Sequence, residues 1–344
     1  VNVSLALQRL AEGQPLSAQE AELAAGEIIR GEANPASLGA LLMGLRLRGE
    51  DGPALTGFVK AMREASRALP RANGAEVVDT CGTGGDGRGS FNISTAAALL
   101  LASCGVGVAK HGNRSASGST GSADVLEALG LPLDVAPERS AALLREHRFC
   151  FLFAPAYHPG MKHAGPVRRE LGIRTIFNLC GPLSNPARPT HQLVGVSNPR
   201  FIAPIAEALA AIGVRGALVV HGAGGFDEIT LTGESSGLRV HENGSITEWS
   251  ITPEELGLTR TAEPDAPAMN PTESAAMMQR VLAGEPSHDA DTVCANAAAL
   301  LWLLGKHDSM RDAFAAAREH QRSGAAAKHF ANILAAARAP MAGP

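Results

Sequence analysis

Over residues 1–70 apolar positions recur at helical spacing, so this segment reads as all-helical. Ser17-Ala18-Gln19-Glu20 has the form of a capping box, and apolar positions continue to Ile28 and Ile29 before Gly31 ends the helix. Asn34-Pro35 opens a second helix, expected over residues 36–47, with Leu38, Leu41, Leu42 and Leu45 on one face. Gly52-Pro53 punctuates, and residues 55–68 read as a third helix. These stripes exceed what three short helices bury among themselves, which predicts packing against another domain or subunit.

From residue 76 the pattern changes. Short apolar runs at residues 77–78, 106–109, 149–153, 193–196 and 217–220 read as buried strands. Helical patterns at residues 96–103, 125–129, 140–146 and 202–211 lie between most of them. This alternation predicts an α/β domain with a mostly parallel central sheet. Residues 154–191 interrupt it with helix and loop; residues 270–282, 292–304 and 309–320 read as closing helices, and 261–271 as a surface loop. The expected organisation is a small N-terminal α-helical domain, 1–70, and a large α/β domain, 71–344.

Composition narrows the class. A chain of 344 residues with 45% hydrophobic and 19% charged residues is an ordinary globular protein. A net charge of −4 gives no global electrostatic case for nucleic acid or an anionic membrane. No apolar run reaches the roughly 18 residues of a membrane-spanning helix, and no signal peptide is expected. The five cysteines, Cys81, Cys104, Cys150, Cys180 and Cys294, are scattered and include no C-x-x-C pair. That argues against zinc and thioredoxin-like chemistry and for reduced thiols in a cytoplasmic protein. Cys81 has no neighbouring base and is not expected to act as a nucleophile.

The candidate chemistry concentrates in residues 79–130. The strand at 77–78 runs into Gly82-Thr83-Gly84-Gly85, and helix-capping residue types follow at Asn92 to Thr95. Strand, glycine-rich loop and helix N-terminus together aim backbone N–H groups and a positive dipole end at an anion, usually phosphate. Such a loop alone serves equally as a structural turn. It is neither G-x-G-x-x-G nor G-x-x-x-x-G-K-[ST], so dinucleotide folds and P-loop NTPases lose support. Asp86, Ser94, Thr95, Lys110 and Asn113 tip the balance by adding a metal-binding oxygen, hydroxyls and a cation.

Functional loops of an α/β sheet lie at the carboxyl ends of strands, and the Gly82, Lys110 and His221 loops each follow an expected strand. Lys110-His111-Gly112-Asn113-Arg114 is either a solvated basic turn or a phosphate contact, with lysine as point charge and arginine as bidentate fork. Ser115, Ser117, Ser119 and Ser122, with Gly118 and Gly121, suit an anion nest. Asp227-Glu228, in a glycine-rich loop, suits Mg²⁺ or forms a polar turn. The residues alone describe a Mg²⁺-dependent enzyme acting on a phosphorylated substrate.

Gly82-Thr83-Gly84-Gly85-Asp86, Asn92-Ile93-Ser94-Thr95, Lys110-His111-Gly112-Asn113-Arg114 and Gly121-Ser122-Ala123-Asp124-Val125-Leu126-Glu127-Ala128-Leu129-Gly130, in this order and spacing, resemble the anthranilate phosphoribosyltransferase family. The resemblance covers essentially the whole chain. It implies transfer of a 5-phosphoribosyl group from phosphoribosyl pyrophosphate to the amino group of anthranilate, a step of tryptophan biosynthesis. It also implies a nucleoside phosphorylase/phosphoribosyltransferase-like fold and homodimers through the helical domain. Part of residues 154–191 would cross to that domain and form the hinge.

By the same resemblance, phosphoribosyl pyrophosphate meets Gly82, Gly85, Asp86, Ser90, Asn92, Ser94, Thr95, Lys110, Asn113, Arg114, Ser117, Gly118 and Ser122. Anthranilate lies beside Gly82, His111, Asn113, His158, Arg168, Gly181 and Pro182, with Arg168 rather than Arg169 on its carboxylate. Ser94, Asp227 and Glu228 hold Mg²⁺, two ions per site. No acid, base or nucleophile is assigned, because an aromatic amine is neutral at pH 7. Taken alone, His158 reads as a structural histidine or helix cap, and Arg169 as a surface ion pair. Thr120 stands where the family often has a basic residue, and Ser274 where it often has asparagine. The alternatives are a pyrimidine nucleoside phosphorylase of the same fold and a non-catalytic nucleic-acid-binding paralogue. The first has a different lysine loop; the second predicts a basic groove and lost metal carboxylates.

Overall fold

The computed structural model describes residues 2–70, 75–84, 91–115, 120–262 and 269–339. Four helices open the chain: α1 (Asn2–Ala11), α2 (Ala18–Ile29), α3 (Pro35–Arg48) and α4 (Gly52–Glu64). The capping box forms, Ser17 Oγ accepting from the Glu20 amide at 3.2 Å and the Glu20 carboxylate accepting from the Ser17 amide at 2.8 Å. Gly31, at φ 77°, ends α2 where a side chain would be strained. Leu38, Leu41, Leu42 and Leu45 are all buried, as their shared face predicts.

The α/β part runs β1 (Val78–Gly82), α5 (Ile93–Ser103), β2 (Val108–Gly112), α6 (Ser122–Ala128), α7 (Pro137–His147) and β3 (Phe149–Phe153). The chain then leaves the sheet through α8 (Ala154–Tyr157), a 3₁₀ turn (Pro159–His163), α9 (Gly165–Leu171) and α10 (Ile176–Leu183). Of these, α9 packs on α3 and α10 on α4, so this excursion joins the helical part. It returns as β4 (His191–Gly195), α11 (Ile202–Ala211), β5 (Gly216–His221), β6 (Ser235–Val240) and β7 (Ile246–Ile251). The closing helices are α12 (Pro271–Leu282), α13 (His288–Leu303), α14 (Met310–Arg322) and α15 (Ala325–Arg338).

The sheet order is β3-β2-β1-β4-β5-β6-β7. Strands β1 to β5 pair in parallel; β6 and β7 are antiparallel. One core cluster joins one set of sheet residues to α5, α13 and the other closing helices; the other joins Val194, Ala217 and Val219 to the N-terminal helices and α10. Because the chain lays β2 and β3 on one side of β1 and returns to place β4 on the other, the order reverses at β1/β4. The crevice above such a reversal is where open α/β sheets bind ligands.

Strands β1 and β2 run well past their expected limits. β1 continues to Gly82, and β2 continues through Lys110 and His111 to Gly112, so Lys110 lies in a strand and not in the loop beyond it. A lysine is tolerated there because its ammonium is satisfied inside: Nζ donates to Thr80 O at 2.6 Å and reaches Ser94 Oγ at 3.3 Å. The β6–β7 hairpin and α15 were not expected from the pattern. No helix among the described residues is long and apolar enough to cross a membrane.

Candidate active site

The crevice is shaped first by two glycines. A side chain at Gly82, which ends β1, would fall on Asp227 Oδ2, and one at Gly195, which ends β4, would fall on the Asp227 carbonyl. Both positions must be bare for the Asp227 loop to lie across the strand ends. Thr83 N then donates to Gly195 O at 2.9 Å, and Gly84 N, with Gly84 at φ 64°, donates to Asp227 Oδ2 at 2.8 Å. Just past Glu228, Asn296 of α13 accepts from Ile229 N at 3.0 Å and donates to Ile229 O at 2.9 Å. That buried amide clamps the chain carrying both carboxylates.

Ser94, in the first turn of α5, joins Asp227 and Glu228 in one narrow cavity with Thr80, Cys81 and Gly195. Among the described residues no group of three His, Cys, Asp or Glu side chains converges anywhere. Two carboxylates and a hydroxyl fit a hard divalent cation that completes its shell with water and phosphate oxygens. They do not fit a closed zinc site. Cys81 is not a nucleophile: burial pushes its thiol far up, and its Sγ lies 3.7 Å from Pro182 O.

Below this cavity Asp79 and Lys110 are both buried, each within reach of the other's charge. Asp79 is fully buried, its Oδ2 accepting from Asn185 Nδ2 at 2.8 Å, and the same nitrogen donates to Ala109 O. Burial pushes Asp79 up to about 7, against the opposing pull of Lys110. The Lys110 ammonium, only 2% exposed, sits under the cavity floor and is not offered on an open turn.

Other expected phosphate contacts have partners within the chain. Arg114 is exposed and paired with Asp124 at 3.0 Å and Glu127 at 2.7 Å, both on α6. Asn113 Oδ1 accepts from the Arg114 amide, and Ser122 Oγ lies 3.5 Å from Asn113 O. Asn92 does not cap α5 with its side chain. Its Oδ1 accepts from Ser274 Oγ at 2.9 Å and its Nδ2 donates to Thr120 O at 2.9 Å, while Thr120 Oγ1 donates to Met269 O. Of the two departures from the family pattern, Ser274 reaches Asn92 with its side chain, while Thr120 meets it only through the backbone carbonyl. Thr95 is fully buried behind it. Gly85, Asp86, Ser90, Ser117 and Gly118 lie outside the described residues.

A second group gathers on the excursion side. The His111 and His158 rings meet edge to face, centroids 5.1 Å apart. His111 Nδ1 is 3.1 Å from Gly181 O, so the proton sits on Nδ1 and Nε2 carries the lone pair. Burial is the main cause that pushes His111 down to about 3 and His158 down to about 4; both are neutral at pH 7. A side chain at Gly181 would meet nothing within 4 Å, so open space adjoins it. Pro182 lies inside α10, its carbonyl held by Gln192 Nε2 at 2.9 Å. Arg168 is half-buried on α9 with its guanidinium 5.5 Å from the Phe177 ring centre, and no carboxylate pairs with it among the described residues. Arg169 is exposed. Asn296 and Arg174, which the sequence did not single out, complete the surroundings.

The fold and crevice define a glycosyltransferase built from a helical bundle and an α/β domain. Residues 4–66 match the glycosyl transferase family, helical bundle domain, and residues 74–327 match the glycosyl transferase family, a/b domain. The chain is 46% identical over 330 residues, 96% of each chain, to anthranilate phosphoribosyltransferase of Moorella thermoacetica. It is 44% identical over 328 residues, 95% of each, to that of Halalkalibacterium halodurans. The crystal structure of anthranilate phosphoribosyltransferase from Thermus thermophilus superimposes with a TM-score of 0.90 at 44% identity, covering 97% of this chain and 99% of that one. The Saccharomyces cerevisiae enzyme in complex with phosphoribosyl pyrophosphate and Mg shares the fold, with a TM-score of 0.88 at 24% identity over 97% of each chain. The chain belongs to the anthranilate phosphoribosyltransferase family.

Proposed function

We propose that this protein transfers the 5-phosphoribosyl group of phosphoribosyl pyrophosphate to the amino group of anthranilate, giving N-(5-phosphoribosyl)anthranilate and pyrophosphate in tryptophan biosynthesis. The observation that carries this reading is the meeting of Ser94, Asp227 and Glu228 at the β1/β4 crevice, beside a glycine loop whose amides can face an anion. Asp227, Glu228 and Ser94 would hold Mg²⁺, two ions per site. When bound, Mg²⁺ would offset the charge of the leaving pyrophosphate. The Lys110 ammonium adds a fixed positive potential from below the floor, where low dielectric strengthens it.

The acceptor belongs on the other wall. Arg168 is a planar fork suited to a benzoate carboxylate, and the open space at Gly181 gives room for the ring. His111 Nε2 accepts a hydrogen bond from the amine and turns the nitrogen lone pair toward C1 of the ribose. The C1–O bond to pyrophosphate breaks as the C1–N bond forms; the nitrogen then releases a proton to solvent, and no strong base is required. Asp227, Glu228 and Arg168 together disfavour the non-catalytic reading, and 44–46% identity to named transferases disfavours the phosphorylase. All five cysteines are free, which supports a reducing, cytoplasmic setting.

Loss of anthranilate fluorescence with phosphoribosyl pyrophosphate and Mg²⁺, matched by pyrophosphate release, tests the activity. In the same assay Arg168→Ala should raise the KM for anthranilate by about ten- to a hundredfold and leave that for phosphoribosyl pyrophosphate nearly unchanged. Equal effects on both substrates would remove the carboxylate role. The helical domain is the proposed homodimer surface, since Leu5, Leu23, Met43 and Leu47 stay exposed, Leu47 at 75%. Met43 and Leu47 are one turn apart on α3, against which α1 packs. Sedimentation should give a dimer that Leu47→Glu converts to monomer; a wild-type monomer at micromolar concentration defeats the assignment.

A further inference from the structure

Arg174 lies between Gly172, which ends α9 at φ 63°, and Thr175, which begins α10. It therefore belongs to the excursion that packs on the helical domain. Its guanidinium nevertheless crosses to the glycine loop of the large domain: Nη1 donates to Gly84 O at 2.7 Å and Nη2 to Thr83 O at 2.8 Å. Ser197, just beyond β4, reinforces the grip with Oγ 3.3 Å from Gly84 O. Burial works against the Arg174 charge, and the strongest attraction offsetting it comes from Asp227, ahead of the push of Arg46 and the smaller pull of Glu50.

The geometry has a direct effect on the loop. In a trans peptide the carbonyl and the following N–H point in opposite directions. Drawing the Thr83 carbonyl toward Arg174 therefore turns the Gly84 N–H the other way, where it meets Asp227 Oδ2 at 2.8 Å. An anionic oxygen already occupies the direction in which that amide points. A planar two-pronged donor is needed to hold two successive carbonyls at once; an ammonium offers a point and not a fork. Glycine at 84 lets the peptide flip freely unless something restrains it.

We propose that Arg174 is a positioning residue that couples seating of the helical domain to the orientation of the phosphate loop. It holds the Thr83 and Gly84 carbonyls, and through the Gly84 amide the Asp227 carboxylate, where the pyrophosphate of the donor and its cation would meet them. This rests on the transferase reading above. Arg174 touches neither substrate, and its effect is on the donor alone.

The test compares wild type, Arg174→Ala and Arg174→Lys by initial rates with each substrate varied, after circular dichroism has shown equal folding. Wild-type turnover is the control; its absence would refute the transferase reading and not this one. With wild type active, Arg174→Ala should raise the KM for phosphoribosyl pyrophosphate about thirtyfold. The KM for anthranilate should stay within twofold of wild type. Added guanidinium should restore much of the loss in Arg174→Ala, because it can refill the fork. Should Arg174→Ala not fold, Arg174→Lys carries the test and should show the same selective rise. A donor KM within twofold of wild type in the folded variants, equal rises for both substrates, or an alanine variant that guanidinium does not improve would overturn the proposal.

Discussion

Replacing Asp227 with asparagine and Glu228 with glutamine together should lower kcat/KM by roughly a hundred- to a thousandfold, and no concentration of Mg²⁺ should restore it. The amides keep the shape of the carboxylates. Asparagine at 227 still offers an oxygen to the Gly84 amide, and the Asn296 clamp on Ile229 is untouched. The fold is thus preserved while the charge that a hard cation needs is removed. The expected loss corresponds to about 3–4 kcal/mol of transition-state stabilisation. A Mg²⁺ titration of initial rate decides it. Wild type should respond more steeply than to a single ion, and a double variant with wild-type metal dependence would sink the assignment.

Lys110→Met should be the most destabilising single change in the crevice floor. It removes the positive charge that opposes the burial of Asp79, 0% exposed, and leaves the buried Thr80 carbonyl without its donor, a loss of about 1–3 kcal/mol. The deficit depends on pH in a defined sense. Burial already holds the Asp79 carboxyl at about 7, above its ordinary 3.8. Loss of Lys110 moves it further up. A folded-state value above the unfolded one means that the folded protein binds the extra proton, so stability is present at low pH and lost as pH rises through the folded value. The gap between wild type and Lys110→Met should therefore widen from about pH 6 to about pH 8. Adding Asp79→Asn to Lys110→Met should recover part of the loss at the higher pH. Parallel melting curves at both pH values, with no recovery in the double variant, would show that the two side chains do not act as a pair.

What could be read from the sequence was what is local. The helix periodicities, the capping box at Ser17 and the glycine run after β1 follow from spacing and backbone chemistry within a few residues. The α/β alternation located the crevice through the rule that loops at strand carboxyl ends carry function. What escaped depends on distant partners. Lys110 extends its strand because Thr80 and Ser94 satisfy its ammonium from neighbouring elements, which no window around Lys110 contains. Asn296 grips a residue 67 positions away, and Arg174 grips one 90 positions away. Ser274 reaches Asn92 across 182 positions, and that contact supplies the physical account its residue type lacked. The β6–β7 hairpin was missed because its strands carry serine, glycine and charged residues on a partly exposed surface. Gly237 is required where β6 approaches β5, since a side chain there would fall on the Val219 carbonyl. The alanine-rich α15 has no side-chain cap to announce its start.

The excursion from β3 to β4 has a consequence for how such enzymes diversify. His158, Arg168, Gly181 and Pro182 all come from one unbroken stretch of chain that leaves the sheet, packs elsewhere and returns. The glycine loop, Ser94 and the paired carboxylates come from strand ends and the helix that follows β1, outside that stretch. On the proposed reading most of the acceptor wall is one short interval of the gene, while His111 comes from β2 and Arg174 ties that interval back to the donor loop. A lineage could vary much of that wall within the interval so long as it kept Arg174.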